Sequence, residues 1–550
     1  MIDIEIPQGK RSLKYRLFEM LPAFMSYGAL ILLVVLSLIN PLWAAIYLML
    51  FIITFLVRAV GIAIHTIGGY KKLQVAKSID WAKRLKDLEN VDAVYEKVKN
   101  KEVETKKLGE SVHIDNLRLI VADHEEYPRP SDIYNAVIIA AYNESYDVIA
   151  QTVQSVIDTT YDKDRMILAL AYEQRGGEAM ERTAKRLEKD FGDKFFKFML
   201  VEHPKNIPGE VIGKGGNITY AGKEVSYWLK KQKIDSKNVI VTTLDADNRP
   251  HETYFDYLTY EFIVNTDRKH LSYQPISLFT SNIWDVPAPM RVIATGNSFW
   301  NIISSMRTHT LRNFASHSQP MDALEEMGFW STRTIVEDGH QYWRSYFHFS
   351  GNYSVVPLHV PIYQDAVMSN TYKATLKAQF IQLRRWAYGA SDIPYVATRI
   401  FTKYRHSPLF PSLARFARLI DGHTTLATGP LLIAFGGWVP LLINSEAARS
   451  VAAHQLPGTI SSIQQVAVIG LFISIFMSLK LLPPRPARYK KSRNVLMVLQ
   501  WVLMPLTAIL YQATSSLYSQ GRLLLGLYLD KFDVTEKATY KSKQEAKKSK

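Results

Sequence analysis

Hydrophobic positions along the chain fall into three patterns. From Met20 to Val57 no residue is charged, and this run is about twice what one helix needs to cross a hydrocarbon core about 30 Å thick. Asn40-Pro41, near its middle, predicts a break into a helical hairpin. A secretory signal peptide is not the expected reading, because the run is too long and carries no small-residue cleavage site. Two more apolar spans, Thr424–Asn444 and Thr459–Leu479, are joined by the loop Ser445–Gly458. The last apolar stretch, Val495–Leu529, is interrupted by Pro505 and diluted by Gln512, Ser515, Ser516, Gln520 and Arg522. It reads as a re-entrant hairpin or interfacial helix, with a fifth full crossing as the alternative.

A second pattern covers Tyr70–Leu108, rich in Lys and Glu with Leu73, Ala76, Ile79, Trp81, Leu85 and Leu88 at helical spacing. This predicts a charged, amphipathic connector near a membrane surface. The third pattern alternates strands and helices. Ala136–Ala140 is an apolar strand followed by a helix at Val148–Thr159; Met166–Tyr172 precedes a helix at Glu178–Phe191; Phe195–Val201 is a third strand. A helix at Asn217–Lys231 leads to the strand Val239–Leu244. This order predicts a mostly parallel sheet with helices on both faces and a site at the carboxyl ends of its strands.

Charge then orients the chain. Lys10, Arg11, Lys14 and Arg16 precede the hairpin and Lys71 and Lys72 follow it; Arg485, Arg488, Lys490, Lys491 and Arg493 follow the later pair of spans. Basic flanks stay on the cytoplasmic side, which also keeps the Lys-rich tail there. The net charge of +15 sits largely beside these spans and in the tail, so a lipid bilayer, not nucleic acid, is the expected partner. With no cysteine, disulfides and thiolate zinc sites are excluded.

Four segments carry candidate chemistry. Asp245 and Asp247 end an apolar strand and, two apart on an extended chain, point the same way. Such oxygen ligands suit Mg²⁺ or Mn²⁺ holding a diphosphate. Gly213-Lys214-Gly215-Gly216-Asn217 opens a helix, where Lys214 and helix N–H groups can meet the same diphosphate. Glu337-Asp338 supplies a carboxylate able to take a proton from an attacking hydroxyl. Gln382, Arg385 and Trp386 share one face of a helix over Ala374–Tyr388 and offer an amide, a fixed cation and an indole platform. His309, His317, His340 and His359 show no zinc spacing, and Trp284, Trp300 and Trp330 read as packing.

Together with Ala141-Tyr142-Asn143-Glu144 after the first strand, this set resembles the membrane-embedded family 2 glycosyltransferases of the cellulose, chitin and hyaluronan synthase type. The resemblance implies an α/β fold: a GT-A type cytoplasmic domain with N- and C-terminal transmembrane helices. It implies Asp338 as catalytic base beside Glu337, with Val336 replacing the usual hydroxyl residue. It implies a donor site at Ala141, Tyr142, Glu144, Lys214, Asn217, Asp245 and Arg385, with Glu173 where the family usually has an Asp pair. The metal would sit on Asp245 and Asp247, and the acceptor on Gln382 and Trp386. The segment Lys531–Lys537 is also similar to one that closes many of these synthases.

The expected organisation is a cytoplasmic N-terminus (1–16), a transmembrane hairpin (17–66), the connector (67–133) and the GT-A domain (134–405). An interfacial helix and two transmembrane helices follow (406–482), then a basic loop with the last apolar helix (483–530) and the tail (531–550). The expected reaction is inverting, metal-dependent transfer of a hexose from a UDP- or GDP-sugar to a growing glycan at the plasma membrane, with an accessory export protein as a further partner. Two alternatives stand beside it: single transfer to a lipid-linked acceptor, and a non-catalytic membrane scaffold or transporter.

Overall fold

The computed structural model describes residues 4–99, 109–445 and 451–529, so the tail from 531 onward and its closing motif lie outside the described residues. The chain divides into two compact units, one of residues up to Ile6 with Gly69–Leu278 and Ser304–Gln364, the other of Pro7–Gly68, Phe279–Ile303 and the chain from Asp365 onward.

The first unit is built on eight strands: β1 (Tyr134–Ala141), β2 (Met166–Glu173), β3 (Lys197–His203), β4 (Val239–Asp245), β5 (Arg249–Pro250), β6 (Leu271–Leu278), β7 (Ser318–Pro320) and β8 (Ser354–Tyr363). They lie in the order β3-β2-β1-β4-β7-β6-β8-β5. The four predicted strands form the parallel half, and β7 joins it antiparallel to β4. Alternate residues of β1 serve the two faces. Val137 and Ile139 pack under the helices Tyr146–Ile157, Gly177–Phe191 and Tyr254–Val264, whereas Ala136 and Ile138 pack under Lys214–Gln232 and Met321–Met327. Burial on both faces explains why these strands read as continuous apolar runs.

The connector differs from its expectation. Its apolar stripe belongs to the core of this unit: the Trp81 ring stacks on Tyr257 at 3.8 Å, and Leu85, Leu88, Leu117 and Ile120 are buried in the same cluster. An amphipathic stripe seeks any apolar partner, and here the helix Tyr254–Val264 supplies one.

In the second unit the expected hairpin is present. The helix Leu13–Ile39 stops at Asn40, and Pro41–Ser78 runs on from there into the first unit. Leu409–Ile443 is a helical stretch of 35 residues and Val451–Leu481 one of 31, so the predicted spans are the C-terminal parts of longer helices. Ser492–Leu525 is an unbroken helical run in place of a hairpin. Pro505 follows a 3₁₀ turn at Gln500–Leu503, and a π-turn at Ala508–Ala513 comes after it, so the run absorbs the missing N–H by local changes of pitch. Among the described residues four helices are long and apolar enough to cross a membrane: Leu13–Ile39, Pro41–Ser78, Leu409–Ile443 and Ser492–Leu525.

At one end of this bundle Glu19 is fully buried and paired with Arg11 and with Arg16 at 2.6 Å. Arg16 also donates to the carbonyls of Leu523 (2.9 Å) and Leu524 (2.8 Å), capping the last helix.

Candidate active site

β4 delivers Asp245 at its last position, and the chain turns at once, with Asn248 N–H donating to the Asp245 carbonyl at 3.0 Å. The buried Thr152 hydroxyl holds the turn from below through the Ala246 carbonyl (2.7 Å). With its amide turned to satisfy both ends, Asn248 donates to Asp247 Oδ1 (3.2 Å) and accepts from Asp245 N–H (3.3 Å). Asn248 thereby holds the Asp247 carboxylate and the Asp245 backbone in one turn. Asn248 also meets the hydroxyl of Ser316, whose backbone sits in the left-handed region at φ 69°, a conformation kept only where surroundings enforce it.

Lys214 is the hub. The helix begins at Lys214 itself, three residues before its predicted start, because the glycine turn already lies against the sheet. Its ammonium lies 2.8 Å from Asp245 Oδ1 and 3.3 Å from Asp338 Oδ1. Burial alone would favour the neutral amine, but the carboxylates of Asp245, Asp338 and Glu337 outweigh it and hold the pKa above the ordinary lysine value. Gly215 allows the close approach: a Cβ there would collide with the Ser331 carbonyl oxygen.

Glu337 and Asp338 form the first turn of the helix Glu337–His348, where the N-terminal dipole favours carboxylates. Glu337 is buried, and its Oε2 has no hydrogen-bond partner among the described residues. Burial and the neighbouring Asp338 charge raise its pKa, against the pull of Lys214. Asp338 is the more open of the two and faces both Lys214 and, at 4.0 Å, His317 Nδ1.

Neither His317 nor Trp330 showed a site signal in the sequence, yet both stand behind Asp338. β7 pairing on β4 carries His317 in, with Thr243 N–H donating to its carbonyl at 3.2 Å. The Trp330 indole N–H donates to His317 Nε2 (3.1 Å), so Nδ1 carries the ring proton and donates to the Phe314 carbonyl (2.9 Å). Burial lowers the His317 pKa, which keeps the ring neutral.

The expected donor-site residues at the other strand ends divide by role. Ala141 ends β1, and the Tyr142 ring lies 5.4 Å from the Arg175 guanidinium. Glu144 folds back to accept from the N–H groups of Tyr142 (2.8 Å) and Asn143 (3.2 Å), closing the loop. The buried Asn217 amide donates to the carbonyls of Ala171 (2.9 Å) and Ala141 (3.4 Å), so it joins the ends of β1 and β2 and its N–H groups are committed there. Glu173 is likewise committed: its Oε2 pairs with Arg175 (2.9 Å) and His203 Nδ1 (3.1 Å), and His203 Nε2 meets Glu210 (3.0 Å). Oε2 of Glu173 is thus shared between two cations, and Arg175 is the more open member of the network.

Gln382, Arg385 and Trp386 belong to the second unit, on the helix Tyr372–Ala387. Gln379 donates to the Gln382 amide oxygen (3.2 Å), and the partly exposed Trp386 ring lies 6.0 Å from Phe279. Ser519 donates to the Arg384 carbonyl at 2.7 Å, fixing the helix against the last helical run.

A mostly parallel sheet with Asp-x-Asp closing its fourth strand is the GT-A type arrangement. None of the curated proteins matches the sequence significantly. Among solved structures, the chain is similar to the mannosyltransferase PcManGT from Pyrobaculum calidifontis in complex with GDP-Man and Mn²⁺, at 16% identity and TM-score 0.37, covering 70% of this chain and 87% of that one. It is also similar to residues 1–349 of S. aureus TarS in complex with UDP-GlcNAc, at 11% identity and TM-score 0.31, covering 72% and 93%. The family model described as glycosyl transferase family group 2 matches residues 240–518. That match takes in just over half of the sequence, and the chain belongs to glycosyl transferase family group 2.

Proposed function

We propose that this chain is a membrane-embedded inverting hexosyltransferase that extends a polysaccharide from a nucleotide-diphospho-sugar. The observation that carries the reading is the gathering of Asp245 and Asp338, far apart in sequence, on the single ammonium of Lys214. A diphosphate leaving group and a base acting on the acceptor hydroxyl must lie within one sugar ring of each other, and this hub supplies both.

Asp338 takes the proton from the acceptor hydroxyl as that oxygen attacks the anomeric carbon. The bond to the nucleoside diphosphate breaks on the opposite face, which inverts the anomeric configuration. Lys214 meets the charge that develops on the departing diphosphate, and the glycine turn brings helix N–H groups beside it. Tyr142 offers its ring to the nucleobase. Gln382 and Trp386 serve the acceptor sugar, with Arg385 as a cation for the diphosphate.

The donor set fits a hard divalent ion. Asn248 holds the Asp247 carboxylate and the Asp245 backbone N–H, and the two carboxylates are hard oxygen ligands of the kind that suit Mg²⁺ or Mn²⁺ taking its remaining ligands from diphosphate and water. When bound, the ion would neutralise charge on the leaving group. The apolar helices embed the chain in the plasma membrane, with the transferase unit and both termini on the cytoplasmic side. An accessory export protein would receive the product.

The test is turnover of UDP- and GDP-sugars by the purified full chain, with products sized. Polymer from one donor supports the reading, a single added sugar on a lipid points to the non-processive alternative, and no hydrolysis or transfer of any donor refutes it. A single Cys at Ser549 that is labelled from outside intact cells would refute the topology.

A further inference from the structure

A short segment ahead of the first apolar helix is built into the catalytic unit. Residues 4–6 belong to that unit, ahead of the first apolar helix at Leu13, and Ile6 is buried. The Glu5 carboxylate is divided between two elements. One oxygen pairs with Arg344, which is 1% exposed and lies on the helix that begins with Glu337-Asp338. The other accepts from the Ser331 hydroxyl at 2.7 Å. Ser331 in turn shapes the loop before that helix, accepting from Arg333 N–H at 3.2 Å, and the Arg333 guanidinium donates to the Ile6 carbonyl at 3.3 Å.

This loop is a wall of the site. The Ser331 carbonyl packs directly on Gly215, leaving no room for a Cβ, and the Thr332 carbonyl accepts from Val211 N–H at 2.8 Å. Arg344 also donates from its two terminal nitrogens to the carbonyls of Phe329 and Met327 and to Gln341. Its charge, however, is met by Glu5, and a buried guanidinium that loses its carboxylate is left uncompensated.

We propose that Glu5 is a positioning residue for the transfer reaction: it ties the helix bearing Asp338 to the 331–333 loop that walls the glycine turn, and so fixes where the base stands relative to the diphosphate site. A terminal peptide six residues from an apolar helix thereby acts on the chemistry without touching substrate. The inference rests on the transferase reading, and its test is arranged so that the two can fail separately.

The experiment compares the full-length wild type with Glu5→Ala and Glu5→Asp, by hydrogen exchange of the peptides covering 329–345 and by steady-state kinetics with the nucleotide sugar that the wild type turns over. In Glu5→Ala, exchange across 331–338 should rise and kcat should fall about tenfold or more, as a base displaced by a fraction of an ångström requires, with the donor KM changed less than about threefold. Glu5→Asp should recover part of both effects. Unchanged exchange in 331–338, faster exchange there with kcat intact, or faster exchange spread equally over β1 to β4 would each overturn the proposal, the last by showing a general loss of stability. If the wild type turns over no donor, the transferase reading falls and positioning for transfer falls with it, while the exchange result still decides whether Glu5 holds the loop.

Discussion

Lys214 holds Asp338 by an ion pair of 3.3 Å across 124 residues of sequence. In the proposed mechanism an arriving diphosphate meets this same ammonium. Lys214→Met should therefore weaken nucleoside diphosphate binding and lower kcat/KM by about 10²–10³, the usual cost of removing one preorganised charge partner. Calorimetry with UDP and GDP checks it; affinity within threefold of wild type would refute the diphosphate role.

Asp338→Asn should remove rate and spare the donor complex. Loss of a positioned base costs roughly 10²–10⁴-fold in kcat. Polymer formation and donor affinity are measured on the same protein. A variant retaining more than about a tenth of the rate, less than about 1.4 kcal/mol of barrier, would move the base elsewhere, with Glu337 first in line.

Asp247→Ala should abolish transfer in Mg²⁺ and Mn²⁺ alike, and excess chelator should do the same to the wild type. Both assays use the donor the wild type prefers. Full turnover under either condition would remove the metal from the reaction.

Glu337 binds its proton more readily in the folded chain than in the unfolded one, where its value is 4.5. Folding therefore takes up a proton, and stability falls as pH rises from 4.5 through the raised native value. Glu337→Gln removes that loss. Thermal unfolding should show the variant gaining on the wild type at about pH 9 and not at about pH 4; equal differences at both ends would contradict a buried carboxylate whose proton affinity is raised by folding.

His203 behaves as a cation with a carboxylate on each nitrogen. Burial would drive its proton off, but Glu173 and Glu210 outweigh burial and raise the pKa to about 9. Its contribution to stability is fully present below 6.5 and is lost as pH rises through about 9. His203→Gln should flatten the unfolding profile over that window. A profile as steep as the wild type's would assign the dependence to other groups.

The parallel half of the sheet was legible because each of its strands is buried on both faces and reads as an apolar run. β5 and β7 were not, since they are two and three residues long and local pattern cannot announce a strand that exists only through its neighbours. Asp245, Asp247, Lys214, Glu337 and Asp338 were legible as types at a spacing, and the fold brings Lys214 between two of them. The commitments of Glu173 and Asn217 were hidden, because a side chain's partners across a sheet leave no mark on its own segment. For the same reason nothing near His317 signalled that Trp330 would fix its tautomer. The connector misled in a further way: an amphipathic stripe records that a face is apolar and not what covers it.

Arg16 caps the last helix through carbonyls 507 and 508 positions away. A ribosome adding about 5–20 residues per second needs roughly 25–100 s to cover that distance. During that interval the first hairpin has been made while the helix end it must clasp has not. Chains truncated before Leu523 keep every residue of the active site yet lack this clasp, so loss of a late stretch of coding sequence should be felt at the earliest-made helix, and cellular quality control would meet such products as unfinished bundles rather than as inactive enzymes.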